Sequence, residues 1–368
     1  MREYLLKDVA FIKNGYAFDS KKYSNKGVPI IRIADIKEKI DLKNCVCING
    51  KVDNEFLVKK GSLLIALSGA TTGKMGVYFE DKIAYLNQRI CSVYTKKEDV
   101  HQEYLVYFLK SMQKKIIKNS YGGAQPNISS RWIENIKIKV PDIRVQKKIS
   151  KRLELLGNNI DYRKKQLNYL KELSKSLFTR MFGDIKTNDK NWEIKKLGEV
   201  VQTQYGTSKK ATSIVGKFPI LRMNNITYSG EMDYKDLKYI ELSDSEKEKF
   251  LLKKGELLFN RTNSKELVGK TGLFNLDIPM AFAGYLIRIK PSNLIHSKFL
   301  LFFMNSEFMK KLLYNKAKNI VGMANINAKE LEDFSIILPP IELQNKFAER
   351  VEKIEKLKFI RKNKKVSA

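Results

Sequence analysis

The chain repeats itself, and the repeat fixes the plan before any single motif is read. Leu6-Lys7-Asp8-Val9 and Gly15 return as Leu197-Gly198-Glu199-Val200 and Gly206. Pro29-Ile30-Ile31-Arg32 returns as Pro219-Ile220-Leu221-Arg222, and Phe56-Leu57-Val58-Lys59-Lys60-Gly61 as Phe250-Leu251-Leu252-Lys253-Lys254-Gly255. Further on, Gly73-Lys74-Met75-Gly76 matches Gly269-Lys270-Thr271-Gly272, and Asn127-Ile128 matches Asn325-Ile326. The offset drifts from 190–191 residues at Pro29/Pro219 and Gly15/Gly206 to 198 at Gln146/Gln344. Small loop insertions produce such a drift; chance does not preserve the order across both halves.

Each half predicts the same layout. Short β-type runs come first, at Pro29–Ile33, Leu63–Leu67, Gly76–Phe79 and Arg89–Tyr94, divided by Gly, Asn and Asp. One amphipathic helix is expected over about 102–119, with its counterpart over about 297–318. His101 and His296 sit at matched positions before them and read as helix-start residues. A last strand, 136–140 or 334–338, stops at Pro141 or Pro339. A long helix then follows. Ile149, Leu153, Leu156, Ile160, Arg163, Leu167, Leu170, Ser174, Leu177 and Met181 step by fours and threes, which is a heptad seam. Leu343, Phe347, Val351 and Ile354 keep that phase in the second half, followed by Lys358 and Arg361.

The expected fold class is α+β. Two β-rich domains related by a pseudo-two-fold are separated by an antiparallel pair of long helices, a coiled-coil spacer. The boundaries are 1–141 for the first domain, 142–182 for the first long helix and 183–191 for a polar linker. The second domain is 192–339 and the second helix 340–365. A 40-residue amphipathic helix is too long for a domain of this size to cover, which favours the pair over two surface helices each lying on its own domain.

Composition narrows the function. At 368 residues with 43% apolar content, the chain has enough material for two cores. No apolar run approaches the roughly 18 residues of a membrane span, and the start reads as no signal peptide. Three Cys fit a reducing cytoplasm, so a cytoplasmic protein without membrane attachment is expected. Seventy Lys and Arg against 40 Asp and Glu give +30, a field that favours a polyanion, and nucleic acid is the usual one. Between Asp142 and Phe182 there are 11 basic residues against 4 acidic.

Enzymatic motifs fail on inspection. Ser264-Lys265-Glu266-Leu267-Val268-Gly269-Lys270-Thr271 has Ser where a phosphate-cradling loop needs its first Gly, and Gly69–Met75 is one residue short. The sole Pro-Pro, at Pro339-Pro340, lacks the flanks of an adenine methyltransferase site. Cys45 and Cys47 have no second pair for zinc, and no His stands in a nucleophile's context.

The order of motifs resembles the specificity (S) subunits of type I restriction–modification systems. Those motifs are Lys60-Gly61-Ser62-Leu63-Leu64-Ile65, then Ser68–Gly73, Leu86-Asn87-Gln88, Gly122–Ile128 and Ile138–Pro141 with Gln146. They recur as Lys254–Phe259, Gly322–Ile326 and Ile337–Gln344. The chain departs from the family pattern at Ser62 and Glu256, where Asp is common, and at Asn260–Ser264, which lacks the Gly of the first copy. The resemblance implies a subunit without catalysis of its own that binds double-stranded DNA. Each domain would be a target-recognition domain reading one half of a bipartite sequence, while the helices set half-site spacing. It also implies docking of two modification (methyltransferase) subunits and a motor-nuclease restriction subunit. No cofactor is expected on this chain; S-adenosylmethionine would belong to the modification subunits. The competing expectation is a basic coiled-coil scaffold that binds DNA only non-specifically.

Base reading needs polar side chains on loops that reach a groove. The candidates in the first domain are Ser68, Thr71, Thr72, Lys74, Tyr121, Gln125, Asn127 and Arg131. In the second they are Arg261, Thr262, Asn263, Ser264, Lys265, Lys270, Asn319 and Asn325. Asn127 and Asn325 recur, which points to a structural role, since two domains reading different bases should differ. The stretch Arg261–Lys265 differs between the copies and is the leading candidate for base contact.

Overall fold

The computed structural model describes residues 1–50, 52–120, 126–213, 215–264, 267–320 and 323–363. Two compact units divide the chain, Met1–Asp161 and Tyr162–Ala368.

The first unit is built on a four-stranded antiparallel sheet in the order Ala10–Asn14, Ile90–Thr95, Leu63–Ala66, Met75–Val77. Strand Leu63–Ala66 is buried on both faces, and its period of two sorts its side chains. Leu63 and Ile65 enter a core with Leu105, Leu109, Ile133 and Ile138; Leu64 and Ala66 enter a second core with Ile31, Ile36, Tyr78 and Leu86. A smaller sheet pairs Val28–Ile31 with Cys47–Ile48 and, in parallel, with Tyr85–Leu86. A two-stranded ribbon closes the unit, Arg2–Leu5 running antiparallel to Lys137–Val140.

The second unit repeats this closely. Its four-stranded sheet is Val201–Tyr205, Leu286–Pro291, Leu257–Asn260, Thr271–Leu273. Phe218–Leu221 pairs with Lys238–Ile240 and, in parallel, with Ala281–Phe282. Its closing ribbon joins Glu193–Lys196 to Ser335–Leu338. Two features are its own. A helix, Asp244–Phe250, opened by a reciprocal Ser243–Glu246 box, stands near where the first unit has the single turn Asn54–Phe56. Strands Thr262–Asn263, Met323–Asn325 and Lys318–Ile320 form a further small sheet.

One repeated glycine has a steric reason. A Cβ at Gly15 would lie 2.1 Å from the Leu86 carbonyl oxygen, and one at Gly206 would lie 2.3 Å from that of Ala283. Only a residue without a side chain lets the first sheet strand leave this close to the smaller sheet.

The expected single amphipathic helix is broken in both units. The first unit has Gln102–Ser111 and Gln113–Lys118. The second has Ser297–Met304 and Glu307–Lys316. There the break is chemical: the Ser306 hydroxyl accepts from Met309 N–H at 3.1 Å and starts a new helix, while the Asn305 amide donates to the Thr271 carbonyl at 2.8 Å. His101 and His296 do sit at helix starts.

The long helix spans Ile143–Phe182, 40 residues, or about 60 Å. A glutamine fastens its first turn. Gln146 is fully buried; its carbonyl oxygen accepts from His101 N–H at 2.9 Å, and its amide donates to the Asp99 and Pro141 carbonyls at 2.8 Å each. Gln344 makes the same clamp at the start of the last helix, Ile341–Asn363, accepting from His296 N–H and donating to the Leu294 and Pro339 carbonyls. The long helix ends at Gly183, whose φ of 82° suits a glycine, and Trp192 Nε1 donates to the Phe182 carbonyl across the polar turn.

Within the second unit the last helix runs antiparallel to the long helix from residue 162 onward. Phe347 packs on Phe178 and Phe182, with centroids 5.5 and 5.2 Å away, while Arg361 donates to Gln166 at 2.6 Å. The last helix also lies on its own unit. Phe347 and Val351 share a core with Phe299 and Phe303, and the buried Lys298 ammonium pairs with Glu355 and Glu352 of that helix. The pair and the packing on its own domain therefore coexist here. The seam sorts accordingly. Ser174 is buried and Leu177 and Met181 are half-buried beside the buried Phe178 and Phe182, which the seam does not include, whereas Ile149, Leu153, Leu156 and Ile160 are 36%, 38%, 40% and 51% exposed.

Candidate nucleic-acid interface

In each unit the residue after the buried central strand is a hub. Leu67 N–H donates to the Arg89 carbonyl at 2.9 Å, and the Leu67 carbonyl accepts from Ile128 N–H at 2.8 Å. Arg261 repeats both bonds, to the Tyr285 carbonyl at 3.1 Å and from Ile326 N–H at 3.0 Å. Next along, Ser68 bridges Asn127, and Thr262 pairs with Asn325. Segments far apart in sequence thus meet at the end of the buried central strand, in the same pattern in both units.

The candidate residues fall into three groups. Thr71, Lys74, Asn127 and Arg131 are exposed, and Ser68, Arg261, Ser264 and Asn325 half-buried. These sit at or beside the hub. A second group is turned inward. The Thr72 hydroxyl lies 2.7 Å from both the Gly69 and Pro126 carbonyls, and Thr262 Oγ1 donates to Asn325 Oδ1 at 3.1 Å. Both threonines are buried; Thr72 supports backbone and Thr262 holds the Asn325 side chain. Lys270 is the clearest departure from expectation. It is 8% exposed, its ammonium donates to the Met223 and Ile226 carbonyls at 2.9 and 2.6 Å, and burial holds its pKa below the usual lysine range. Its counterpart Lys74 faces solvent. The two carbonyls that hold the second unit's lysine lie at the turn Met223–Asn225 and just after it. In this arrangement Lys270 cannot contact a phosphate.

The third group is placed less fully. Asn263 and Asn319 lie by their backbones on the small sheet, both opposite Ala324. Tyr121, Gln125 and Lys265 lie outside the described residues.

The hub also gathers side chains that motif reading passed over. The Arg261 guanidinium stands 4.9 Å over the Tyr205 ring, whose hydroxyl accepts from Ala328 N–H at 2.8 Å. Tyr285 is 55% exposed beside it. In the first unit Asn14 donates to Ser130 at 3.2 Å, and Arg89 is exposed. The available signal was a position-by-position comparison of the repeats next to Gly15/Gly206 and Ile90/Leu286, not any motif.

Chemistry elsewhere is quiet. Burial pushes the Cys45 and Cys91 thiols up to about 12, so neither is a thiolate at neutral pH. Among the described residues no cluster of His, Cys, Asp or Glu is arranged to hold a metal, and no helix is long and apolar enough to cross a membrane.

Comparison with known proteins places the chain. The family described as "Type I restriction modification DNA specificity domain" matches twice, at residues 1–172 and 189–367. The specificity subunit of the type I restriction enzyme EcoBI of Escherichia coli is 24% identical over 377 residues, covering 94% of this chain and 77% of that one. The MjaVIII specificity subunit of Methanocaldococcus jannaschii is 26% identical over 337 residues, covering 86% and 77%. The crystal structure of a type I restriction-modification S subunit from M. genitalium superposes with a TM-score of 0.61 at 15% identity, over 98% of this chain and 91% of that one. At that identity the superposition speaks for the fold.

Proposed function

This chain belongs to the type I restriction–modification DNA specificity family, and from that premise we propose that it reads a bipartite double-stranded DNA target, one half-site per unit. One observation carries the reading: a β-rich unit repeated with the same four-stranded sheet and closing ribbon, each copy followed by a helix clamped by the same buried glutamine. Two copies of one frame suit two half-sites. The chain's contribution is recognition, with no catalysis or cofactor of its own. Its net charge of +30 supplies sequence-independent attraction to phosphate, and side chains that differ between the two hubs supply discrimination.

The helices set the distance between half-sites and dock two modification subunits, which bring S-adenosylmethionine and methylate the target; a motor-nuclease restriction subunit joins for cleavage. The exposed apolar stretch of the long helix, Ile149, Leu153, Leu156 and Ile160, supports docking, because water-facing leucines at heptad spacing call for a partner.

The test inserts a second copy of Leu153–Asn159 directly after Asn159. Seven residues keep the heptad phase, leave the four apolar residues in place and lengthen the helix by about 10 Å, or roughly three base pairs at one turn per 34 Å. In a complex with the modification subunit, both half-sites should be retained and the spacer should gain about three base pairs. An unchanged spacer would overturn the ruler. If the intact complex shows no preference over excess random duplex, the chain is a non-specific scaffold instead.

A further inference from the structure

We infer that three matched positions at the hub, Asn14/Tyr205, Leu67/Arg261 and Arg89/Tyr285, are the specificity-determining positions that give the two units different half-sites; this rests on the bipartite reading above. The backbone around them is the same in both units. Besides the two hub bonds, Gly15 N–H donates to the Ile90 carbonyl at 3.1 Å and Gly206 N–H to that of Leu286 at 3.2 Å. Asn87 N–H donates to the Ile31 carbonyl at 3.1 Å, and Ala283 N–H to that of Leu221 at 2.9 Å. The three positions are therefore superimposable mounts carrying different side chains.

The chemistry differs in a pointed way. Each unit carries one arginine among its three mounts, but on a different one. In the first unit it is Arg89, exposed at the turn before strand Ile90–Thr95, while Leu67 fills the hub and is 7% exposed. In the second it is Arg261 at the hub, steadied by the Tyr205 ring, with Tyr285 at the turn. An arginine fork is the commonest reader of guanine, through O6 and N7. Moving the fork from turn to hub, on an unchanged frame, moves the base it addresses. Tyr205 limits the rotation of the Arg261 fork, and its hydroxyl is tied to Ala328 N–H, so the hub arginine is held in place before DNA arrives. By contrast Ser68/Asn127 and Thr262/Asn325, which pair alike in both units, hold the frame and carry no discrimination.

The experiment uses the full chain co-expressed with its modification subunit, and reads methylated sequences genome-wide in the host. Arg261→Leu with Tyr205→Asn gives the second unit the first unit's residues at two mounts, which the frame already accommodates. Arg89→Tyr makes the reciprocal change. Each should relax or alter one half-site, by roughly tenfold or more against the original base, and leave the other half-site and the spacer intact. Arg261→Lys, which keeps the charge without the fork, should also lose discrimination. If the unmodified chain directs no sequence-specific methylation, the recognition reading itself fails. If it does, and these variants keep the same site list, the assignment of specificity is overturned. A uniform fall across all sites, with an unchanged melting temperature, would make both arginines phosphate contacts and overturn it equally.

Discussion

Replacing Phe347 by alanine should loosen the last helix from its unit and from the long helix at once. The ring is fully buried and meets Phe178, Phe182 and Phe302 at centroid distances of 5.5, 5.2 and 5.1 Å. Removing a buried phenylalanine costs about 3–5 kcal/mol, because the surrounding core refills the cavity only in part. For a unit of about 200 residues each kcal/mol moves the melting point by roughly 2–4 °C, so a fall of about 6–20 °C is expected. Phe359, on the same helix but 68% exposed, is the internal control, and its alanine variant should change stability by no more than about 0.5 kcal/mol. A double-mutant cycle with Phe178→Ala should give a coupling of about 0.5–1.5 kcal/mol, the range for aromatic pairs. Calorimetry of the full chain reads all three. Equal effects at Phe347 and Phe359 would show that the aromatic cluster does not hold the helix pair.

Other outcomes follow from the same geometry. Gln344→Leu strands the His296 N–H and the Pro339 carbonyl, and should cost about 2–4 kcal/mol in urea unfolding, with Gln146→Leu giving a similar loss in the first unit. Lys74→Ala should weaken duplex binding and reduce its salt dependence by about one counterion, whereas Lys270→Met should leave the salt slope alone and lower stability by about 1–3 kcal/mol. Burial, and secondarily the nearby Lys298, holds the His296 pKa below its ordinary 6.5. The unfolded chain therefore takes up the proton first. Stability is kept above pH 6.5 and falls as the pH drops through that value toward the folded pKa. His296→Asn keeps a capping side chain and should flatten that slope in pH-dependent melting curves.

Much of this architecture could be read from the residues because the repeat did the reading. Matching Gly15 to Gly206 and Gln146 to Gln344 located the strands and both helix starts, while the heptad phase picked out Ser174, Leu177 and Met181 but not their neighbours Phe178 and Phe182, the rings that meet the last helix. Other features turned on what lies across space. Lys74 and Lys270 occupy one motif position, yet one faces water and the other two carbonyls from a turn about 45 residues away. The break at Asn305–Ser306 depends on a carbonyl of Thr271 that helical periodicity does not register. Arg89 and Tyr285 lie between motifs, so a search for shared residues passes over them, and they come into view only when the two repeats are compared position by position on their shared frame.

Each unit opens and closes on a single ribbon, Arg2–Leu5 beside Lys137–Val140 and Glu193–Lys196 beside Ser335–Leu338. The chain thus leaves a unit next to where it came in. Loops, insertions or whole hub surfaces can change beyond that gate without altering the direction in which the helix departs. A protein built this way can acquire a new outer surface while the exit of its chain stays where it was.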